Sequence, residues 1–167
     1  RRVLFRSTYM SGTCTSKTLM EIAGDAGADV YSVAPLMDPN NPEYAAQPGM
    51  TLYKAKVTQY EPEADATNGI VAYGWTAGAI LERALATAKA PNRLAVMEAA
   101  RNLTDVKDLA VQLPGISWSV GADDWFLGEQ FSLVQYSLSD KYFSTVGPLV
   151  KLDGETAEIT PPALIDG

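Results

Sequence analysis

One segment limits what this chain can fold into: Asn68 to Ala90 reads as a single long helix with a broad apolar side. Val71, Gly74, Trp75, Gly78, Leu81, Ala84, Leu85 and Ala88 recur at helical spacing and fall on one face. The small residues among them permit close packing against another backbone. Ala90-Pro91-Asn92 ends the helix, and Asn92 caps a second one carrying Leu94, Met97 and Ala100. The pair makes an αα-hairpin. Any fold for this chain has to say what covers that face.

Ahead of the hairpin, strand and helix patterns alternate. Thr8-Tyr9-Met10 is a short apolar segment that runs into Ser11-Gly12-Thr13-Cys14-Thr15-Ser16. Small hydroxyl residues after a strand suit a loop whose backbone and hydroxyls face a ligand or a helix start. Ser16 can cap the following helix, with Leu19, Met20, Ile22 and Ala23 on its apolar side and Gly24 near its end. Val30 to Ala34 mixes β-branched and aromatic residues and reads as a strand. Residues 35–48 form a loop rich in Pro and Asn. Met50, Tyr53, Val57 and Tyr60 then follow helical spacing with Lys54 and Lys56 turned outward, and an acidic connector covers 61–67.

Beyond the hairpin, Ile116 to Val120 reads as a strand and 121–124 as a turn. Glu129 to Tyr136 and Tyr142 to Val146 read as two strands joined by 138–141, a β-hairpin. From Lys151 onward the chain is a Pro-rich tail. The front of this order predicts an α/β lobe with a parallel sheet covered by helices. The terminal hairpin does not fit a simple doubly wound sheet. No element is left over to cover the apolar face of the long helix, so the organisation reads as incomplete.

Two counts remove most enzyme chemistry. The 167 residues contain no His and one Cys. An internal disulfide, a Cys/His zinc site and any imidazole triad or proton shuttle are therefore excluded. A net charge of −7 leaves no basic stripe to neutralise phosphates, so nucleic acid is not an expected partner. No apolar run is long enough to span a membrane. A chain of this length, if a complete domain, would bury about 70% of its unfolded surface.

The first seven residues, Arg1-Arg2-Val3-Leu4-Phe5-Arg6-Ser7, stand apart. They match the translation of a widely used sequencing-library adapter, so we expect residues 1–7 to be an adapter artefact fused to a truncated open reading frame of metagenomic origin. Setting their three arginines aside leaves 10 basic against 20 acidic residues, a net of −10. A native edge strand is the competing reading of Val3-Leu4-Phe5.

Several stretches resemble the C-terminal half of type I periplasmic substrate-binding proteins of ABC transporters, the class that includes branched-chain amino-acid binders. They are Tyr9 to Ser16, Ile22-Ala23-Gly24-Asp25-Ala26, Val71 to Ala79, Leu113-Pro114-Gly115-Ile116, and Asp123-Asp124 leading to Glu129-Gln130. The resemblance covers residues 8 to about 148 and rests on order and spacing. It implies an α/β, type I periplasmic-binding-protein fold, incomplete here, with two lobes closing on a small ligand that is handed to a membrane permease. Residues 8–66 would belong to the C-terminal lobe, 67–128 would pack on the absent N-terminal lobe, 129–148 would return as a hairpin, and 149–167 would be tail. Apolar side chains on the 70–88 helix should then be exposed. The implied location is periplasmic or extracellular, with a lipid anchor compatible. The competing role is a ligand-sensing regulatory domain of the same fold.

By resemblance, Gly12, Thr13, Cys14 and Thr15 line the ligand cleft, and Ile70 and Tyr73 supply an apolar or aromatic wall. Hydroxyls and backbone N–H groups at the C-terminal edge of a parallel sheet are well placed for polar ligand atoms; a plain strand–helix connection is the competing reading. Amino-acid-binding members commonly carry an acidic residue in this loop. Here the matching position is near Gly12, and no Asp or Glu occurs between Ser7 and Met20. An amide or a small carboxylate thus fits as well as an amino acid. Trp75 reads as packing. Cys14 lacks any His to act as its base, so it is not read as a nucleophile. Asp123-Asp124 reads as a turn, and Asp38, Asn40 and Glu43 as a solvated loop rather than a calcium site. No catalytic residue, metal or cofactor is expected.

Overall fold

A computed structural model describes residues 8–121 and 124–153. The arginine-rich heptapeptide and the Pro-rich stretch from 154 onward lie outside the described residues. Four strands form one sheet in the order β1 (Thr8–Tyr9), β2 (Val30–Ala34), β3 (Gln130–Ser137) and β4 (Tyr142–Lys151). β1 and β2 are parallel, with Thr8 opposite Val30. The other two pairings are antiparallel, with Ser32 opposite Val134 and Tyr136 opposite Phe143.

The helices begin where their caps predict. Ser16 Oγ accepts from Leu19 N–H at 3.3 Å and starts α1 (Lys17–Ala23), which Gly24 ends at φ 52°. Pro48 opens α2 (Pro48–Tyr60), whose Met50, Tyr53 and Val57 are buried as their spacing predicts, whereas Tyr60 in the last turn is exposed. Asn68 caps α3 (Gly69–Thr87) through Ile70 N–H at 3.0 Å, and Asn92 caps α4 (Arg93–Ala100) through Ala95 N–H at 3.0 Å.

Two expectations are corrected. Ile116 to Val120 is not a strand. Ile116, Trp118 and Val120 do alternate into the core, but pairing is limited to one bridge between Val106 and Trp118. Asp105 in the opposing segment adopts a left-handed φ of 51°, which breaks the ladder there. β4, in turn, runs past Val146 to Lys151. The register slips opposite Gly147 and Pro148, between Ser132 and Val134, and the irregularity accommodates a proline that has no N–H to donate.

Two apolar clusters result. The larger joins Met50, Tyr53 and Val57 of α2 to Ala72 of α3 and to the 103–120 segment through Leu103, Val106, Val111, Ile116 and Trp118. The smaller packs Met20 of α1 on Val30, Val134, Tyr136 and Phe143 of the sheet. α2 meets the 103–120 segment at very close range: a Cβ on Gly49 would lie 2.1 Å from the Ala110 carbonyl oxygen.

Of the broad face of α3, Ala84 is buried and Val71, Trp75 and Ala88 are half-buried, while Gly74, Gly78, Leu81 and Leu85 face outward; the helix also buries Ala72 and Thr76, which lie off that face. The expected exposure is present: Ile70 is 58%, Tyr73 62%, Leu81 55% and Leu85 54% accessible, and Leu94 and Met97 of α4 are also exposed. Among the described residues no helix is long and apolar enough to cross a membrane.

Candidate functional site

The loop after β1 is fixed at both ends. Met10 N–H donates to Tyr31 carbonyl at 2.9 Å and Ser32 Oγ donates to Met10 carbonyl at 2.8 Å, so the chain leaves the sheet beside β2. Gly12 to Cys14 then makes one tight turn, with Cys14 N–H on Ser11 carbonyl at 2.9 Å and Thr15 Oγ1 on Gly12 carbonyl at 2.6 Å. A Cβ at Gly12 would approach Val33 carbonyl oxygen to 3.1 Å, so glycine lets the turn lie on the end of β2. Buried Ser16 closes the loop by capping α1.

A polar clamp brings the start of α3 against this loop. Lys17 Nζ reaches Asp65 Oδ2 at 2.9 Å and Thr67 Oγ1 at 3.0 Å, while Asn68 Nδ2 donates to Thr18 Oγ1 at 3.1 Å. Asp65 Oδ1 also accepts from Thr67 Oγ1 at 2.6 Å and Thr67 N–H at 2.9 Å. The Thr67 hydroxyl first, then the Lys17 ammonium, hold the Asp65 carboxyl down at about 2. The same partner holds the Lys17 ammonium above its ordinary range.

Between these elements lies a cavity of about 680 Å³, within the roughly 300–1,000 Å³ range of small-molecule sites. Gly12, Thr13 and Thr15 line one side of it, and Ile70 and Tyr73 from the first turns of α3 line another. The structure thus brings together five of the six residues singled out from the sequence. Cys14 is the exception: it is half-buried, does not line the cavity, and places Sγ 3.6 Å from Ser11 Oγ. The Thr13 hydroxyl has no partner among the described residues and is exposed at the rim. Most of the wall is apolar, with Met37 and Leu113 from the larger cluster and Val134 and Phe143 from the smaller one. Trp75 stays out of the lining and packs edge-on to Tyr53 at 5.8 Å between ring centres.

Three further polar residues line the cavity: Asp38, read from the sequence as part of a solvated loop but half-buried here, and Tyr44 and Thr145, which the sequence reading did not single out. Asp38 takes Asn40 N–H on Oδ1 and Phe143 N–H on Oδ2, both at 2.8 Å. Burial pushes its carboxyl above the ordinary range, and those two N–H groups oppose the shift. Burial likewise raises the Tyr44 phenol, opposed by a hydrogen bond with the Thr145 side chain. The Asp-Pro-Asn-Asn run signals an Asx turn. The contact with β4, more than 100 residues away, has no local signal.

Asp38, Asn40 and Glu43 are turn residues: Asn41 Oδ1 accepts Glu43 N–H at 2.9 Å, and Asn40 Nδ2 donates to Lys141 carbonyl at 2.6 Å. Among the described residues no three acidic or Cys side chains converge as a metal-binding group. Asp124 accepts Phe126 N–H at 3.0 Å within a turn, and its neighbour Asp123 lies outside the described residues.

Solved structures with the same arrangement are known. A leucine-binding protein of Thermotoga maritima matches 88% of this chain with 38% of its own length, at a TM-score of 0.60 and 13% identity. A possible leucine/isoleucine/valine-binding protein of Rhodopirellula baltica matches 83% with 35%, at 0.65 and 16% identity. A branched-chain amino-acid ABC transporter protein of Thermus thermophilus with bound valine matches 86% with 38%, at 0.59 and 14% identity. No protein-family model and no curated protein matches the chain. The likenesses establish the fold: an incomplete type I periplasmic-binding-protein fold, spanning little more than a third of the structures it resembles.

Proposed function

We propose that this chain, with its incomplete type I periplasmic-binding-protein fold, is part of an extracytoplasmic solute-binding protein that captures a small ligand and delivers it to an ABC importer. The observation that carries the reading is the 680 Å³ cavity, which joins the turn after β1 to the start of α3. Its wall is apolar with a few polar groups, as small-molecule sites are. The solved structures it resembles are named as binding and transport proteins, and one holds valine.

In this reading Thr13 and Thr15, with the backbone of Gly12, take polar ligand atoms, and Ile70 and Tyr73 cover the ligand's apolar body. The exposed side of α3 and α4 meets the other lobe, so residues 67–128 pack across and 129–148 return. Ligand binding shifts the population toward a closed arrangement, which presents a surface to the permease from the periplasmic or extracellular side.

The test is a thermal-shift screen with branched-chain amino acids, amides and short carboxylates, repeated with Tyr73→Ala. A ligand at about 100 times its Kd should add roughly 2.7 kcal/mol of stability. The variant should weaken that shift without lowering the unliganded midpoint, because Tyr73 is 62% exposed. The screen is run on the full-length protein with both lobes; if none of these compounds stabilises it, or if its Tyr73→Ala variant responds unchanged, the assignment is refuted.

A further inference from the structure

The wall of the cavity is drawn from both apolar clusters, and the chain crosses between them at residues 34–36 and 127–130. A further connection uses side chains alone. Lys17 and Thr18 open α1, which packs on the sheet through Met20. Their partners Asp65, Thr67 and Asn68 lead into α3, which enters the larger cluster through Ala72. The clamp therefore spans the two clusters, and it does so beside the cavity. Thr15 and Ser16, directly before Lys17, and Gly69 and Ile70, directly after Asn68, are lining residues. The two turns meet: a Cβ on Gly69 would make van der Waals contact with the Thr15 carbonyl oxygen at 3.9 Å.

One half of the clamp is set in advance. Thr67 N–H and Oγ1 both bond to Asp65 Oδ1, which leaves Oδ2 to Lys17. Asn68 is held likewise, its Oδ1 capping α3 on Ile70 N–H while Nδ2 reaches Thr18 Oγ1. The long Lys17 side chain is then the main group to be ordered when the ion pair forms. That reduces the entropy cost which leaves most surface pairs worth little. Ile70 and Tyr73, on the first turns of α3, are more than half exposed, so this side of the cavity is also a mouth. Parting the two turns widens it and breaks every bond of the clamp.

We propose that Lys17 and Asp65 form a latch across the cavity wall: they are positioning residues that hold the 12–15 turn and the start of α3 together over a bound molecule and slow its release. This role rests on the cavity being the ligand site. Neither charged side chain lines the cavity, so the latch acts through the balance between joined and parted arrangements and serves every ligand class alike.

The test uses the full-length protein with both lobes and three probes, valine, isovaleramide and isovalerate. Calorimetry gives the affinity of each probe that binds, and stopped-flow tryptophan fluorescence gives its rates. Lys17→Met and Asp65→Asn should each weaken binding about fivefold, as faster release, with association changed by less than about twofold. The double variant should bind about as well as either single one, because the two act as a pair. Lys17→Arg should stay within about twofold of the unmodified protein. In 1 M KCl the unmodified protein should lose most of its advantage, while Asp65→Asn changes by less than about 1.5-fold, since the pair is half exposed. Arg83→Met breaks a different ion pair of α3, outside the cavity lining, and should leave binding unchanged. Should Asp65→Asn fail to fold, Lys17→Met and the salt profile of the unmodified protein decide the matter.

Clamp variants that release the probes as slowly as the unmodified protein, or an equal weakening by Arg83→Met, overturn the latch; the site itself stands if Tyr73→Ala weakens the same probes. Absence of binding by all three probes together with a silent thermal screen, or binding that neither the clamp variants nor Tyr73→Ala alters, overturns both.

Discussion

Replacing Asp65 with Asn removes the charge that clamps the start of α3 to α1. The folded carboxyl sits at about 2 against an ordinary value of 3.8. At about 1.36 kcal/mol per pH unit, that difference sets a ceiling of roughly 2.4 kcal/mol. The two side chains are 49% and 32% accessible, so solvent screening brings the expectation down to about 1 kcal/mol. Because the folded value is depressed, the unfolded chain binds more protons between pH 2 and 4. The contribution is complete above about pH 5, about half remains at pH 3, and about a sixth at pH 2.

Urea titrations followed by tryptophan fluorescence read this directly, since Trp75 lies beside Tyr53 in the adjoining core. With a slope of about 2 kcal/mol/M, Asp65→Asn should lower the midpoint by roughly 0.5 M at pH 7 in low salt. The gap should narrow at 1 M salt and close progressively as the pH falls toward 2. A gap of constant size from pH 7 to pH 2 would mean that lost packing, not charge, sets the effect. No gap at pH 7 would mean that the ion pair contributes nothing. Either result refutes the clamp.

Further outcomes follow from individual contacts. Gly49→Ala should cost about 3 kcal/mol or more, since its Cβ would sit 2.1 Å from the Ala110 carbonyl oxygen; a loss under about 1 kcal/mol in chemical denaturation counts against that approach. Tyr53→Phe should stabilise the fold by about 1 kcal/mol, because the fully buried hydroxyl has no hydrogen-bond partner among the described residues; a lower melting midpoint would reveal a bond to that oxygen. Leu81→Gln with Leu85→Gln should change stability by no more than about 0.5 kcal/mol and reduce binding of a hydrophobic dye, as both side chains are more than half exposed; a large destabilisation would place them in a packed face.

What could be read from the sequence was local. Ser16, Asn68 and Asn92 each cap the helix that follows them, because a cap is decided within three residues. Turn chemistry led to Gly12, Thr13 and Thr15 as a loop able to face a ligand, whereas Ile70 and Tyr73, and the meeting of all five at one cleft, came through the family resemblance alone. Periodicity misled at Ile116 to Val120, where alternation reports burial on one side and is silent about whether a partner strand continues. Asp105 decides that, and a positive φ at an aspartate leaves no periodic trace. The last strand was bounded too early, at Val146, because an irregular register lets β4 continue through Pro148, and pattern alone does not show that irregularity. Asp38 was legible as a turn residue and illegible as a cavity residue, since its second oxygen is committed to a strand 105 positions later.

That second commitment bears on how the molecule can move. The cavity lies where the two apolar clusters face each other, with Met37 and Leu113 from one and Val134 and Phe143 from the other. Bonds across this seam are polar: Asp38 and Asn41 to the backbone of Phe143, and Gln130 to Ser117 N–H at 2.9 Å. Hydrogen bonds of this kind contribute about 1 kcal/mol each, whereas opening either cluster would expose several buried side chains worth about 1.5–3 kcal/mol apiece. Apolar packing across the seam is slighter, with Leu149 of β4 lying against the larger cluster. A ligand seated there touches residues of both clusters, so its binding energy acts on their relative arrangement. The same position that gives the cavity its apolar wall therefore gives a bound molecule leverage over the conformation.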